Sequence, residues 1–212
     1  MQRIIVIGAG GHGQVVADIL LAARDASADV EVIGFLDDNP QLIGRRLCSL
    51  PVFGQINRLS TVSHDAVIIG IGDNRTRELI MKWLMAADER LAVARHPAAT
   101  IARGVTIGAG SVVCAGAIVN TGSCIGNNTI LNTGCSVDHH NRIGDYVHIG
   151  PGAHLGGDVI VEDGVLVGIG ATVLPQATIG AWSRIGAGAV VTKSVPAGVT
   201  VVGVPARPLQ RG

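Results

Sequence analysis

Four histidines lie within sixteen residues in the second half of the chain: His139, His140, His148 and His154. Imidazole titrates near neutral pH, so this cluster is suited to general acid–base catalysis or to metal binding. Asp138 directly precedes it and adds a carboxylate. For His148 and His154 the alternative interpretation is an ordinary solvated surface histidine.

The cluster falls within a regular repeat. An aliphatic residue returns at every sixth position, and three places later the residue is Gly nine times and Asn or Asp twice. Those residue types tolerate positive φ. The pattern predicts a parallel β-helix of hexapeptides in which three hexads complete one coil, so that residues 18 apart stack at about 4.8 Å. The sixteen aliphatic positions are Ile101, Ile107, Val113, Val119, Ile125, Leu131, Val137, Ile143, Ile149, Leu155, Val161, Val167, Val173, Ile179, Ile185 and Val191.

His140 and Tyr146 occupy consecutive bend positions at which the pattern favours Gly or Asn. A local departure of this kind is typical of a functional site. The alternative is a metal cluster like that of the γ-class carbonic anhydrases. However, His148 and His154 are one hexad apart and should lie on different faces of a three-sided prism. We therefore expect no metal site within one subunit.

A second chemical feature lies near the N-terminus, where residues 8–13 carry the pattern G-x-G-x-x-G. The pattern follows a predicted strand and opens a predicted helix, whose N-terminal N–H groups suit a phosphate. An acidic pair, Asp37 and Asp38, directly follows the next predicted strand, at a position where related folds contact a ribose or base. The alternatives are that the glycines only permit close strand–helix packing and that His12 is a solvated turn residue. The candidate binding residues are Gly10, Gly11, His12, Gly13, Asp37, Asp38 and Gly72.

Strands alternate with helices over the first 95 residues, which predicts a small Rossmann-like parallel α/β domain. The predicted strands are 3–7, 32–36, 66–71 and 91–94, and the predicted helices are 14–24 and 75–87. This length holds about one half of a dinucleotide fold, so it favours a mononucleotide or nucleotide sugar over NAD. Periodicity changes after His96-Pro97, so we place the domains at 1–95 and 96–212.

The composition agrees with a β-helix and excludes several other classes. There are 30 glycines and 48% hydrophobic residues but only five aromatic residues, too few for an immunoglobulin-type sandwich or a propeller. The 16 basic and 16 acidic residues balance, so neither nucleic acid nor a membrane surface is an expected partner. We find no secretion signal and no C-x-x-C spacing among the four cysteines, which favours a cytoplasmic protein with reduced thiols.

Several motifs together resemble the NeuD/PglD-type sugar O- or N-acetyltransferases, and the resemblance runs over essentially the whole chain. They are I-V-I-G-A-G-G-H-G at 5–13, G-F-L-D-D-N-P at 34–40, H-P at 96–97, the hexads, N-T-G-C-S-V-D-H-H at 132–140 and V-G-V-P-A-R at 202–207. The resemblance implies a homotrimer of left-handed β-helices. It also implies acetyl-CoA in the groove between neighbouring prisms and a nucleotide-linked amino sugar on the N-terminal domain.

The resemblance further implies roles for individual residues. His139 matches the catalytic base, which takes a proton from the attacking amine or hydroxyl. The family usually carries Glu or Asp directly after the catalytic histidine, and His140 departs from that pattern. Asp138, directly before His139, is then a substitute carboxylate for orienting the His139 ring. The residues that match acetyl-CoA contacts are His148, Gly157, Gly168, Gly203, Val204, Pro205 and Arg207, with Lys193 a further candidate for the CoA phosphates.

These features predict an acetyl-CoA-dependent N-acetyltransferase of a nucleotide-linked 4-amino-4,6-dideoxy sugar, used in bacterial surface polysaccharides such as O-antigen. One alternative is O-acetylation of a sialic-acid-like nonulosonate. Another is a non-catalytic trimeric scaffold or nucleotide-sugar sensor. The acidic pair Asp37 and Asp38 accepts hydrogen bonds from uracil or guanine alike, so the nucleotide stays open.

Overall fold

The computed structural model describes residues 1–209 and divides into two units, Met1–Pro97 and a second that begins at Ala98. The first unit is a small α/β domain. Its elements are β1 (Gln2–Ile7), α1 (Gly11–Asp25), β2 (Val30–Leu36), β3 (Arg46–Leu47), β4 (Leu50–Gly54), a 3-10 helix (Ile56–Thr61), β5 (Ala66–Ile69), α2 (Asn74–Ala86) and β6 (Ala94–Arg95).

The sheet of the first unit has the order β3-β4-β2-β1-β5. Strand β1 pairs in parallel with both β2 and β5, and β2 pairs in parallel with β4. Strand β1, between β2 and β5, has no exposed side chain from Ile4 to Ile7, so both faces of the sheet are covered there. This is the predicted Rossmann-like arrangement.

The structure of this unit differs from the local predictions in three respects. Helix α1 begins at Gly11 instead of residue 14, so part of the glycine pattern is itself helical. The β3–β4 hairpin and the 3-10 helix were not predicted. In place of the predicted strand at 91–94, Leu91 makes one parallel bridge with Val67 and β6 begins at Ala94.

The second unit is a left-handed parallel β-helix, as predicted. Each of the sixteen strands has two residues and ends on a predicted aliphatic position. The strands are β7 (Thr100–Ile101), β8 (Thr106–Ile107), β9 (Val112–Val113), β10 (Ile118–Val119), β11 (Cys124–Ile125), β12 (Ile130–Leu131), β13 (Ser136–Val137), β14 (Arg142–Ile143), β15 (His148–Ile149), β16 (His154–Leu155), β17 (Ile160–Val161), β18 (Leu166–Val167), β19 (Thr172–Val173), β20 (Thr178–Ile179), β21 (Arg184–Ile185) and β22 (Val190–Val191). A short antiparallel pair, β23 (Thr200–Val202) and β24 (Arg207–Pro208), follows.

The strands stack into three sheets with a register of 18 residues. One sheet runs β22-β19-β16-β13-β10-β7, and a second runs β20-β17-β14-β11-β8. The third contains β21-β18-β15-β12-β9. Within the first sheet, for example, Val119 pairs with Val137 and Val137 with Leu155.

Two residues per hexad, and not one, enter the core of the β-helix. Besides the aliphatic position, a smaller residue two places earlier is buried in most coils, such as Ala117, Cys135, Ala153 and Ala171. Small side chains are required there because the prism is narrow. Among residues 1–209, no helix has the length and apolar character to cross a bilayer.

Candidate active site

His139 and His140 form the bend between β13 and β14, at one edge of the prism. The backbone of His140 has φ 56°, the conformation that bends require. Its N–H donates to the carbonyl of Thr121 at 3.0 Å, and the carbonyl of His139 accepts from the N–H of Asp158 at 3.0 Å. The coils on either side therefore hold the backbone of this bend. Both imidazoles lie exposed at the surface.

The two imidazoles contact each other. Nδ1 of His139 lies 3.1 Å from Nδ1 of His140, and the rings meet edge to face at 74° with centroids 5.2 Å apart. The carboxylate of Asp158, one coil further along, places Oδ2 4.0 Å from the same Nδ1 of His139. The side chain of His139 is 48% exposed, so solvent reaches it.

The Asp138 carboxylate binds a backbone N–H and an asparagine side chain, and not an imidazole ring. Its Oδ1 accepts from the N–H of His139 at 2.8 Å and from Nδ2 of Asn120 at 2.9 Å. These hydrogen bonds, that of the His139 N–H first, hold the pKa of the Asp138 carboxyl below its usual value. Asp138 therefore fixes the start of the bend, and the carboxylate near the His139 ring belongs to Asp158.

Two glycines form the surface on which the imidazoles rest. A Cβ at Gly157 would lie 2.4 Å from Cε1 and 2.5 Å from Nε2 of His139. A Cβ at Gly122 would lie 2.4 Å from Cδ2 of His140. Any side chain at either position would displace the ring above it, so the location of both rings depends on glycine in the adjacent coils.

A buried asparagine holds the bend from inside the prism. Asn141 is fully buried, and its Nδ2 donates to the carbonyls of Asp138 at 2.7 Å and Gly156 at 2.9 Å. Its backbone N–H donates to Oγ of Ser123 at 3.0 Å. Asn141 occupies the small interior position, so it links two coils directly behind the imidazole pair.

The first unit contains a cavity of about 480 Å³. Apolar side chains of the 3-10 helix and α2 form much of its wall, together with an aromatic ring, Trp83, that is 41% exposed. The size and the mixture of apolar and polar groups suit a nucleotide. The lining residues are Gly8, Asp37, Asp38, Ile56, Ile71, Thr76, Leu79, Ile80 and Trp83.

The predicted acidic pair lines this cavity, but both carboxylates also bind backbone. Oδ2 of Asp37 accepts from the N–H of Ala9 at 2.7 Å, and Oδ1 of Asp38 accepts from the N–H of Ile56 at 2.9 Å. Gly10 and Gly11 are open, since a Cβ on either meets nothing within 4 Å. His12 is partly buried in the first turn of α1. The carbonyl of Gly72 accepts from Nη1 of Arg77 at 2.8 Å.

Comparisons with known proteins cover both units. Residues 3–84 match the family described as the PglD N-terminal domain, and residues 158–193 match the bacterial transferase hexapeptide family. No curated protein matches the sequence. Among solved structures, the acetyltransferase domain of PglB from Neisseria gonorrhoeae is similar, with TM-score 0.92, 38% identity and coverage of 99% of this chain and 100% of its own. The chain belongs to the NeuD/PglD family of sugar acetyltransferases.

Two further members of this family with solved structures are equally extensive matches. A histidine mutant of perosamine N-acetyltransferase from Caulobacter crescentus, in complex with CoA and GDP-perosamine, has TM-score 0.91 and 34% identity and covers 100% of this chain and 98% of its own. WeeI from Acinetobacter baumannii has TM-score 0.87 and 34% identity, covering 99% and 100%. The present protein is thus an acyltransferase of the NeuD/PglD family.

The other two predicted histidines of this NeuD/PglD member lie on separate sheets. Nε2 of His148, on β15, lies 3.0 Å from Nδ2 of Asn132, whose Oδ1 accepts from the N–H of Thr133. Nδ1 of His154, on β16, lies 2.8 Å from Oγ of Ser136. The two histidines therefore cannot share a metal ion within one prism.

The ligand atoms of His139, His140 and Asp158 lie within 4.8 Å of one another, close enough to be considered as metal ligands. All three side chains are exposed, and the imidazole nitrogens are already at hydrogen-bonding distance from each other. We therefore interpret the group as a hydrogen-bonded imidazole pair beside a carboxylate. Among the solved relatives, the PglB acetyltransferase domain has also been determined in complex with acetyl coenzyme A, and the Caulobacter crescentus protein in complex with CoA.

The predicted acetyl-CoA residues lie at several places on the β-helix. A Cβ at Gly168 would lie 2.7 Å from the backbone of Ala187, so this glycine is needed for coil stacking. Residues 203–206 form the turn between β23 and β24, where Val204 is 74% exposed. Lys193 and Arg207 are exposed. His148 lies on β15, in the sheet that also contains β18, β21 and β23.

Sequence reasoning missed Asp158, Asn141 and Trp83. The 18-residue register could have found the first, because Asp158 stacks on His140. Asn141 could have been found as an amide side chain at the small interior position, where the adjacent coils have the smaller Ser123 and the apolar Val159. Nothing in the local sequence distinguishes Trp83 from an ordinary helix residue.

The glycine loop provides a test of tight packing. A Cβ at Gly13 would lie 2.0 Å from the carbonyl oxygen of Gly8. We expect Gly13→Ala to lower the free energy of unfolding of the first unit by about 1–3 kcal/mol or more. Gly11→Ala, at an open position in the same turn, is the matched control and should leave it unchanged. Equal urea midpoints for the two variants would contradict this packing role.

Proposed function

We propose that this protein is an acetyl-CoA-dependent N-acetyltransferase whose acceptor is a nucleotide-linked 4-amino-4,6-dideoxy sugar used for bacterial surface polysaccharides. The observation that carries the proposal is the exposed imidazole pair, with His139 resting on Gly157, in a chain that aligns along its full length with perosamine N-acetyltransferase. Cytoplasmic location remains a prediction.

His139 acts as the general base in this proposal. The sugar amine attacks the thioester carbonyl carbon and its proton passes to Nε2 of His139. The C–S bond then breaks, and the departing CoA thiolate takes that proton from the imidazolium, which regenerates the base. Backbone N–H groups of the coils are suited to the developing oxyanion. Burial raises the pKa of the Cys114 thiol to about 11 and that of Cys135 to about 12, so neither supplies a thiolate nucleophile at neutral pH. Direct transfer is the simplest route.

Donor binding is proposed for the surface of the β-helix, with His148, Gly157 and Gly168 along the pantetheine arm. Lys193 and the turn Gly203–Arg207 would contact the CoA phosphates and adenine. We further propose a homotrimer with acetyl-CoA between protomers. Exposed aliphatic side chains on the prism, including Ile118, Ile160 and Ile169, support an interface because they are 41–63% exposed in one chain.

The nucleotide is proposed to bind in the cavity of the first unit. We expect one of UDP, GDP, dTDP or CMP to raise the melting temperature, since a ligand at 100 times its Kd stabilises the native state by about 2.7 kcal/mol. Trp83→Leu should weaken that ligand about tenfold or more, because base–aromatic stacking contributes roughly 1–3 kcal/mol. Leu209→Ala, outside the cavity, should bind the nucleotide normally. No shift with any of the four would contradict the assignment.

The activity itself is tested by thiol release from acetyl-CoA with a panel of acceptors. Turnover with a nucleotide-linked 4-amino sugar, and none with its 4-hydroxy analogue, supports N-acetylation. Turnover only with a sialic-acid-like nonulosonate would support O-acetylation instead. Nucleotide-sugar binding without any turnover would favour the scaffold or sensor.

A further inference from the structure

The hydrogen-bond geometry of the imidazole pair constrains where its protons lie. Two Nδ1 atoms at 3.1 Å form a hydrogen bond only if one carries hydrogen and the other accepts. The carboxylate oxygen of Asp158 lies 4.0 Å from Nδ1 of His139. A negative charge there favours an N–H on that atom, which would make His139 the donor and His140 the acceptor.

We propose that His140 is the positioning residue of His139, and that its Nδ1 accepts the Nδ1–H of His139 so that Nε2 of His139 remains the basic nitrogen. The partner of the base is thus uncharged. This inference rests on the proposed function, in which His139 takes the proton of the acceptor amine. A hydrogen bond to one ring nitrogen determines which nitrogen of a histidine carries the proton.

The neighbours of the pair show why an uncharged partner matters. Within the described residues, the titratable groups facing it are Asp138 in its own bend and Asp158 in the next coil. The preceding coil presents Gly122. A carboxylate in place of His140 would add a negative charge against the ring and favour its protonated, inactive form. As an uncharged acceptor, His140 adds no further negative charge beside the ring.

Three substitutions separate these effects, and all suit the positive φ of residue 140, since Asn, Asp and Gly tolerate this conformation. His140→Gly removes the acceptor and should lower kcat by about 10- to 100-fold with little change in KM. His140→Asn keeps an uncharged acceptor and should restore most of that loss. His140→Asp supplies a charged acceptor and should shift the acid limb of the pH profile of kcat/KM to higher pH by roughly one unit.

The experiment is a pH profile of kcat/KM for the wild type and these variants, together with ¹⁵N NMR of the imidazole nitrogens without substrate. In the wild type, the NMR spectrum should show the hydrogen of His139 on Nδ1. In His140→Gly, the preference of that hydrogen for Nδ1 over Nε2 should be lost. An Nε2–H tautomer of His139, a His140→Gly variant with wild-type kcat, or an unshifted acid limb in His140→Asp would each overturn the proposal. If the wild type acetylates no amino sugar, the proposed function fails, and NMR alone still decides the pairing.

Discussion

Replacing His139 with alanine should lower kcat by about 10²- to 10⁴-fold, the usual contribution of a positioned general base. The ring is about half exposed and lies outside the core, so the fold should survive its removal. Since the imidazole acts on the acceptor proton, the KM for acetyl-CoA should change little. The measurement is steady-state thiol release with the nucleotide amino sugar that the acceptor panel identifies.

His154→Ala is the matched control for that variant. His154 is also an exposed histidine on the β-helix, but its Nδ1 faces Ser136 and it contacts neither imidazole of the pair within the described interactions. We expect kcat near the wild-type value. Equal kcat values for the wild type and His139→Ala would contradict the assignment of His139 as the base. Equal losses of kcat in His139→Ala and His154→Ala would mean that the effect is not specific to His139.

The architecture of the β-helix was predictable because its repeat is a direct physical requirement. A coil closes only if an aliphatic residue points inward and a permissive residue bends the chain at fixed intervals. Both signals recur over sixteen hexads, and every predicted aliphatic position ends a strand. The second, smaller core position was missed because Ala, Ser, Cys and Val alternate there without one chemical type.

The geometry of the site was less predictable, since it depends on contacts between coils. The histidine pair is visible in sequence, but the partner of each ring depends on side-chain orientation. Asp138 is adjacent in sequence yet binds backbone, whereas Asp158 lies near the ring of His139. Gly157 was predicted to lie beside acetyl-CoA, and the structure adds a contact with His139.

In the first unit, two of the seven candidate residues line the cavity, and their hydrogen bonds to backbone were not predicted. Asp37 and Asp38 line the cavity, and each also accepts a backbone N–H, from Ala9 and from Ile56 at the start of the 3-10 helix respectively. The β3–β4 hairpin was missed because its turn uses Cys48 and Ser49 at positive φ, where glycine or asparagine would have marked a turn.

Gly157→Ala should lower kcat by about 10²-fold, the second large effect we expect. The backbone of Gly157 does not have positive φ, so alanine is not strained there, but its methyl would overlap the imidazole of His139, at 2.4 Å from Cε1. The ring must then turn toward solvent, and displacement of a catalytic group by about 1 Å commonly costs this much. The melting temperature should change little, because the exposed ring can move.

A double-mutant cycle distinguishes this effect from a direct contact between Gly157 and acetyl-CoA. In the His139→Ala background the methyl has room, so adding Gly157→Ala should cause no further loss of kcat. If Gly157 contacts the pantetheine arm as well, the KM for acetyl-CoA rises in both backgrounds. Additive losses of kcat would mean that Gly157 acts independently of His139. That result would contradict the role of Gly157 in positioning the His139 ring.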